Sequence, residues 1–197
     1  MIAAIDNTFL TVLLNPNAAP RPNPQTGQPT SHCKLRIEAL IDDLSKKKSL
    51  LLVPAPALAE ALCAAEAIEA YFDELQQYSA IEIAPFDGRA AYELGRIIRA
   101  AIAAGDKRSG QTGTWQHVKM DRTIVAIAIS RSATVFYSDD AGQIDFATKA
   151  GLTVKSTWDL ELPPEYAQTD LSEQGDTPWP AQRKPPKSKD LEKSPED

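Results

Sequence analysis

A chain of 197 residues, 43% of them hydrophobic, can bury a core and suits one domain with appendages. The formal net charge of -6 excludes nucleic-acid binding by bulk charge, although local basic patches can still attract RNA or DNA. The two cysteines, Cys33 and Cys63, provide neither a disulfide framework nor the spacing of zinc ligands, so reduced thiols are expected.

The amino-terminal residues bear on where the protein is located. The first six residues carry no basic segment and end in an acid, so they do not fit a secretory signal peptide. No apolar run in the sequence approaches the roughly 20 residues of a membrane-spanning helix. We therefore expect a cytoplasmic protein with no membrane partner.

Apolar runs and helical periodicity alternate along most of the chain. Strands are predicted at 2–5, 49–53, 80–84, 134–137 and 152–155. A short helix or turn is predicted at 8–14, and helices at 34–47, 57–77 in two stretches, 87–102, 123–129 and 145–150. This alternation predicts a three-layer α/β sandwich with a mostly parallel sheet and helices on both faces.

Two segments depart from that alternation. Residues 15–31 are rich in Pro, Asn, Gln and Gly, which predicts a long loop that is either functional or an insertion, at about 15–33. From about 168 to 197 the chain is dominated by Pro, Ser, Lys, Asp and Glu, which predicts a disordered tail. The predicted domain therefore covers residues 1–160.

Acidic residues stand at the edges of four apolar segments that are far apart in sequence. Asp6 and Glu60 follow the first two predicted strands, Asp121 begins an apolar helix, and Asp139 and Asp140 follow the strand at 134–137. Because sites in parallel sheets form beyond the carboxyl ends of strands, these carboxylates are expected to converge. Converging carboxylates repel one another and favour a hard divalent cation such as Mg²⁺ or Mn²⁺. Such a centre suits the hydrolysis of phosphodiester bonds.

Each acid also has a structural interpretation. Asp6 and Asp121 both suit the N-cap of a helix, since Asp favours that position. Glu60 is equally compatible with the solvent face of its helix and with a buried, metal-paired position. Either Asp139 or Asp140 could be the ligand of the fourth site, and the spacing from the preceding serine favours Asp140. The occurrence of all four sites on the expected elements favours a functional cluster.

The sequence resembles the PIN domain, which is best known from VapC-type ribonuclease toxins. The motif Ile5-Asp6-Asn7-Thr8 is similar to the family's opening strand–acid motif, and the stretch from Val53 to Glu60 is similar to its second, proline-containing motif. Asp121 with the apolar run after it resembles the third motif, and Tyr137-Ser138-Asp139-Asp140 resembles the fourth. The resemblance covers about residues 1–160. The long loop, the tail and the order Asn7-Thr8 depart from the usual pattern.

The resemblance implies a Mg²⁺- or Mn²⁺-dependent endoribonuclease. Its ligands and catalytic residues would be Asp6, Glu60, Asp121 and Asp140, with Asp139 as the other candidate for the last position. Asn7 and Ser138 would orient these carboxylates by hydrogen bonds. The candidates for contacts with RNA phosphates, each equally compatible with a solvated surface, are Lys107, Arg108, Lys119 and Arg122.

The resemblance also implies possible protein partners. A toxin of this kind would have an antitoxin that covers the acidic site, and a homodimer is a further possibility. The alternative interpretation is a non-catalytic PIN-like module that binds RNA or a protein, with a vestigial acidic cluster.

Overall fold

Five parallel strands form a single sheet in the computed structural model, which describes residues 1–15, 17–65, 67–164 and 166. The strands are β1 (Ile2–Ile5), β2 (Leu50–Pro54), β3 (Ile81–Ala84), β4 (Val135–Tyr137) and β5 (Thr153–Lys155). Their order across the sheet is β3-β2-β1-β4-β5, and every neighbouring pair is parallel. The predicted parallel sheet is confirmed.

Seven helices and one short 3₁₀ segment connect and cover the strands in the described part of the chain. They are α1 (Asn7–Leu14), α2 (Cys33–Lys46), α3 (Ala55–Cys63), α4 (Ile68–Gln76), α5 (Gly88–Ala103), α6 (Trp115–Ser130), α7 (Ala141–Lys149) and the 3₁₀ turn Thr157–Asp159. None of the helices among the described residues is long and apolar enough to cross a membrane. Cys33, buried at the start of α2, and Cys63, exposed at the end of α3, are both free thiols.

Two helices begin earlier than their apolar runs suggested. Thr114 caps α6, where its hydroxyl accepts a hydrogen bond from the His117 amide at 3.3 Å. Asp140 caps α7 in the same way. Asp121 therefore lies in the middle of α6, and the prediction that it begins a helix is wrong. Polar capping residues determine these starts, because they satisfy the free amides of the first turn.

The residues of the central strand show that the sheet is buried on both faces. Ala3, Ala4 and Ile5 of β1 are fully buried, as are Leu51 of β2 and Phe136 of β4. Strands covered by helices on both faces are uniformly apolar, in contrast to the alternating pattern of a sheet that has one wet face.

The order of the strands creates a switch point beside β1. The chain runs from β1 outward to β2 and β3, and then crosses to β4 and β5 on the other side. At the carboxyl ends of β1 and β4, the amide of Asp6 donates to the carbonyl of Tyr137 at 3.1 Å. Crevices at such a switch point are the usual binding sites of open α/β sheets. Asp6 and the segment from Ser138 to Asp140 lie at this point.

The segment between α1 and α2 contains local order. Pro22 and Pro29 form an isolated antiparallel bridge, closed by a turn in which the Gly27 amide donates to the Asn23 carbonyl at 2.8 Å. Residues Met1–Pro163 form one compact unit. The predicted tail at 168–197 lies outside the described residues.

Candidate functional site

Asp6 is a fully buried carboxylate that links three elements. It caps α1, where its Oδ1 accepts from the Thr8 amide at 2.9 Å, the Thr8 hydroxyl at 2.6 Å and the Phe9 amide at 3.2 Å. Its Oδ2 accepts from the Ser138 hydroxyl at 2.5 Å. Burial nevertheless raises the pKa of Asp6 to about 7, against the opposing effect of these hydrogen bonds. The carboxyl of Asp139 adds to this rise in pKa.

Both carboxylate oxygens of Asp139 bind Thr157. Its Oδ1 accepts from the Thr157 amide at 2.8 Å, and its Oδ2 accepts from the Thr157 hydroxyl at 2.7 Å. The side chain is buried, and its backbone amide donates to the Thr8 hydroxyl at 3.0 Å. Both carboxylate oxygens therefore hold the 3₁₀ turn against the end of β4, which favours Asp140 as the functional acid.

Asp140 has one oxygen in a helix cap and one in an ion pair. Its Oδ1 accepts from the amides of Gly142 and Gln143 at 2.9 and 3.0 Å, at the start of α7. Its Oδ2 lies 2.8 Å from Nη1 of Arg21. Arg21 belongs to the segment between α1 and α2, and it was absent from the residues that the sequence singled out.

Asp121 and Glu60 share the electrostatic surroundings of Asp140. Burial is the largest cause that raises the pKa of Asp121, to about 6, and the charges of Asp140 and Glu60 raise it further. The pKa of Glu60 is likewise raised, first by burial and then by Asp140. His117 opposes both shifts, and its Nε2 lies 3.6 Å from Asp121 Oδ2. The exposed His117 therefore lies at the rim of this acidic group.

The amide of Gln143 completes the inner side of the group. Its Nε2 donates to Asp121 Oδ1 at 3.2 Å. The residue is almost fully buried, and yet its Oε1 has no hydrogen-bond partner among the described residues. A buried carbonyl oxygen without a donor or a cation is unfavourable by about 1–3 kcal/mol.

The chemistry of these donors fits a hard divalent cation. The carboxylates of Glu60, Asp121 and Asp140 repel one another, and the orphaned Gln143 oxygen adds a neutral oxygen donor. In the positions that the described residues occupy, however, no three His, Cys, Asp or Glu side chains are grouped closely enough to hold an ion. The cap at α7, Arg21 and His117 hold the oxygens that a cation would need. A cation could bind all three carboxylates only if these side chains turned.

Arg122 does not belong to the surface cations that were predicted to contact phosphate. Its side chain is only 1% exposed, and it donates to the Lys107 carbonyl and the Ser109 hydroxyl, both at 2.8 Å. The guanidinium also lies 5.0 Å from the Phe146 ring and 5.7 Å from the Trp115 ring. Arg122 therefore fixes the loop between α5 and α6, and its prediction as an RNA-contacting residue is wrong.

We expect Arg122→Ala to lower the free energy of unfolding by about 3 kcal/mol, because it leaves a cavity and removes two hydrogen bonds from a charged donor. Urea unfolding measures this change. The control is Arg96→Ala, since Arg96 is exposed and pairs with Glu93 on the same helix, α5. A loss below 1 kcal/mol for Arg122→Ala would contradict the anchoring role.

The other predicted cations have different positions. Lys107 and Arg108 are exposed on the loop that Arg122 anchors, and Lys107 Nζ lies 4.2 Å above the Trp115 ring. Lys119 is exposed on α6 two residues before Asp121, and residues at that spacing do not share a helix face. The loop thus carries the better-placed cations. It passes near the acidic group, because a Cβ at Gly142 would lie 3.3 Å from Gln111 Oε1.

Several residues of the site carried weak signals in the sequence. The hydroxyl that reaches Asp6 belongs to Thr8, next to the predicted Asn7. Thr8 and Gln143 stand two and three residues after acids that cap helices, and this spacing could have indicated them. Arg21 and Thr157 lie in irregular segments where periodicity gives no signal. Ser138 donates to Asp6 from the position at which it was predicted.

Comparison with known proteins identifies the fold as PIN-like. One matching structure is VapBC2 from Rickettsia felis bound to a DNA fragment from their promoter. The match has a TM-score of 0.52 and 16% identity, and it covers 79% of this chain and 98% of the other. A chain of DNA-bound VapBC from Salmonella typhimurium matches over 80% of this chain and 98% of its own, with a TM-score of 0.50 and 15% identity. The predicted three-layer α/β/α fold and its resemblance to VapC-type PIN domains are confirmed. No family profile and no curated protein matches the sequence itself.

Proposed function

We propose that this protein is a Mg²⁺- or Mn²⁺-dependent endoribonuclease whose nuclease domain covers residues 1–160. The observation that supports the proposal is the mutual repulsion of Glu60, Asp121 and Asp140, with Asp6 at the switch point of the sheet linked to Asp140 through Ser138. Carboxylates that repel one another in a partly buried crevice favour the binding of a cation with oxygen ligands. Residues 168–197 are proposed to be a tail outside the catalytic unit.

The ligands of the cation would be Glu60, Asp121 and Asp140, with Asp6 behind them. A bound divalent cation would supply an activated water and neutralise charge that develops on the phosphate. Asp6 has both oxygens engaged, so it acts at first through Ser138, which also accepts from the Asp140 amide at 3.0 Å. Thr8 and Ser138 would keep the two strand ends in register while Asp121 and Asp140 face the substrate.

His117 has a role before substrate and cation arrive. Its ring lies beside Asp121 and partly offsets the repulsion among the carboxylates. Because the His117 side chain is 62% exposed, its ring can rotate away into solvent. This exchange would leave Asp121 Oδ2 free for an incoming ligand.

The RNA would be held by the loop between α5 and α6. Lys107 and Arg108 are exposed there, while Arg122 and Asp106 fix the loop from within; Asp106 accepts from the Arg108 and Gly110 amides at 2.9 and 2.6 Å. An anchored loop that carries two exposed cations near an acidic centre suits a phosphate backbone. The overall charge of -6 then leaves binding dependent on this local patch.

A cleavage assay tests the proposal. A mixed-sequence single-stranded RNA, and DNA of the same sequence, are incubated with the protein in Mn²⁺, in Mg²⁺ or in EDTA. We expect cleavage of the RNA with either metal and none in EDTA, because the proposed mechanism depends on the cation to supply the activated water. Cleavage that persists in EDTA, or cleavage of DNA alone, would contradict the proposal.

An antitoxin partner is part of the same proposal. The two structures compared above are named VapBC2 and VapBC, and both are bound to DNA. By analogy, a partner protein would cover the acidic crevice, and the chain could also form a homodimer. Co-purification of the chain with the product of an adjacent small gene tests this part of the proposal.

The second candidate function is a non-catalytic PIN-like module that binds RNA or a protein. It is favoured by one observation, which is that no three potential ligands among the described residues stand close enough to hold an ion as they are placed. A module of this kind would bind RNA equally well with Mn²⁺ and with EDTA, and would not cut it. A nuclease would bind Mn²⁺ in the absence of RNA.

A further inference from the structure

Among the described residues, Arg21 is the cation that lies closest to the acidic group. Its Nη1 lies 2.8 Å from Asp140 Oδ2, within the range of a charge-assisted hydrogen bond. The side chain of Arg21 is 54% exposed and that of Asp140 is 21% exposed. The contact therefore lies at the mouth of the crevice, where an ion or a phosphate would enter.

The chain builds the position of Arg21 on both sides. Before it, Ala18 packs against the core, and its amide donates to the Asn15 carbonyl at 3.0 Å. After it, the bridge between Pro22 and Pro29 closes a turn. Contacts on both sides of Arg21 thus order the backbone of a segment that has no regular helix or strand.

The two oxygens of Asp140 have separate occupants. Oδ1 accepts from two amides at the start of α7, where the helix dipole also stabilises the carboxylate. Oδ2 is the oxygen left for a metal, and Arg21 contacts this same oxygen. A guanidinium and a divalent cation on one oxygen would bring three positive charges together, so both cannot bind equally well.

We infer that Arg21 is an internal counter-ion of the acidic centre, which a divalent cation must displace from Asp140 before the site is complete. This inference rests on the proposed metal-dependent function. The inserted segment at 15–31 would then be a part of the centre that responds to metal, because it carries Arg21 to Asp140. Arg21 lowers the apparent affinity for the cation, and once released it lies near the position of the substrate phosphate.

Mn²⁺ binding without RNA tests the inference. The free-ion signal in electron paramagnetic resonance gives the dissociation constant for the full chain and for Arg21→Met. We expect Arg21→Met to bind Mn²⁺ about fivefold more tightly, which is the size expected when a partly exposed ion pair no longer competes. Arg21→Lys, which keeps the charge, should bind as the unmodified chain does.

The matched control is Arg96→Met. Arg96 is an exposed arginine on α5 that pairs with Glu93 at 2.9 Å. The change therefore removes the same charge and the same kind of ion pair, but not the contact with Asp140. We expect it to leave the Mn²⁺ affinity unchanged. If Arg96→Met tightens binding as much as Arg21→Met does, net charge explains the effect and the inference is overturned.

Hydrogen exchange adds a readout of the segment itself. In the unmodified chain, peptides that cover 17–29 should exchange more quickly once Mn²⁺ is saturating, because Arg21 has been released. In Arg21→Met they should exchange quickly with or without Mn²⁺. Slow exchange of these peptides in Arg21→Met, both with and without Mn²⁺, would overturn the inference.

The remaining outcomes separate this inference from the proposed function. If the unmodified chain binds Mn²⁺ and Arg21→Met binds it equally or more weakly, only the role of Arg21 is overturned. If neither chain binds Mn²⁺ at millimolar concentrations, the metal-dependent function and the inference both fall.

Discussion

Replacing Asp121 by Asn is expected to slow Mn²⁺-dependent RNA cleavage by at least about 100-fold and to leave the fold intact. A metal ligand contributes several kcal/mol to charge stabilisation in the transition state, and about 3 kcal/mol corresponds to two orders of magnitude in rate. The fold should persist because Asn has the same shape and removes a charge whose burial raises the pKa of Asp121 to about 6. Single-turnover cleavage, with circular dichroism of the same samples, measures both quantities.

The adjacent acids at the end of β4 provide the internal control. Asp140→Asn should lose cleavage as Asp121→Asn does, because the helix cap uses Asp140 Oδ1 and leaves Oδ2, which contacts Arg21, as the oxygen for a cation. Asp139→Asn should keep cleavage within tenfold in the folded protein and instead lower its stability, because both oxygens bind Thr157. The reverse pattern would assign the ligand to Asp139, and full activity in all three variants would exclude the proposed centre.

Replacing Asp6 by Asn should produce the largest change in stability, and a change that depends on pH. The pKa of Asp6 rises from 3.8 to about 7 on folding, so the folded protein keeps a proton that the unfolded chain loses between these values. Stability of the unmodified chain therefore falls as the pH rises through this window. Each pKa unit corresponds to about 1.4 kcal/mol, so the cost above pH 7 is on the order of 4 kcal/mol.

Asp6→Asn removes this cost, because Asn does not ionise and still suits a helix N-cap. In EDTA, its advantage in unfolding free energy over the unmodified chain should grow by about 3–4 kcal/mol between pH 4 and pH 7.5. Urea unfolding at several pH values measures the two profiles, with Asp73→Asn on exposed α4 as the control. Parallel profiles for Asp6→Asn and the unmodified chain would show that Asp6 is not held in a charge-disfavouring environment. Cleavage by this stabilised variant is expected to be abolished.

Local patterns predict the sheet and the edge at which the acids meet. Strands such as β1 and β4 are short apolar runs that end in polar residues, and such runs are recognisable without any tertiary information. The parallel topology then follows from the alternation with helices, and topology alone brings Asp6 near Asp140. The positions of carboxylates relative to strand ends were therefore predictable from the sequence.

Tertiary contacts determine what the sequence did not predict. Arg122 stands in the polar first half of α6, and only packing between Trp115 and Phe146 shows that its guanidinium is buried. Arg21 lies in a segment that has no periodicity, so no pattern indicates which side chain it approaches. The start of α6 depends on a single capping hydroxyl at Thr114, whereas the apolar run that suggested the helix begins nine residues later.

The contact between Ser138 and Asp6 has a consequence for the order in which the molecule is made. These residues lie 132 positions apart, and Thr8 and Asp139 are separated by 131. A ribosome adds about 5–20 residues per second, so Asp6 waits roughly 7–26 s for its partner. Until β4 has been synthesised, the nascent chain holds a buried-type acid with no strand to complete its surroundings. If the protein is the proposed ribonuclease, a newly made molecule should therefore be unable to cut the transcript being translated until synthesis of the domain is almost finished.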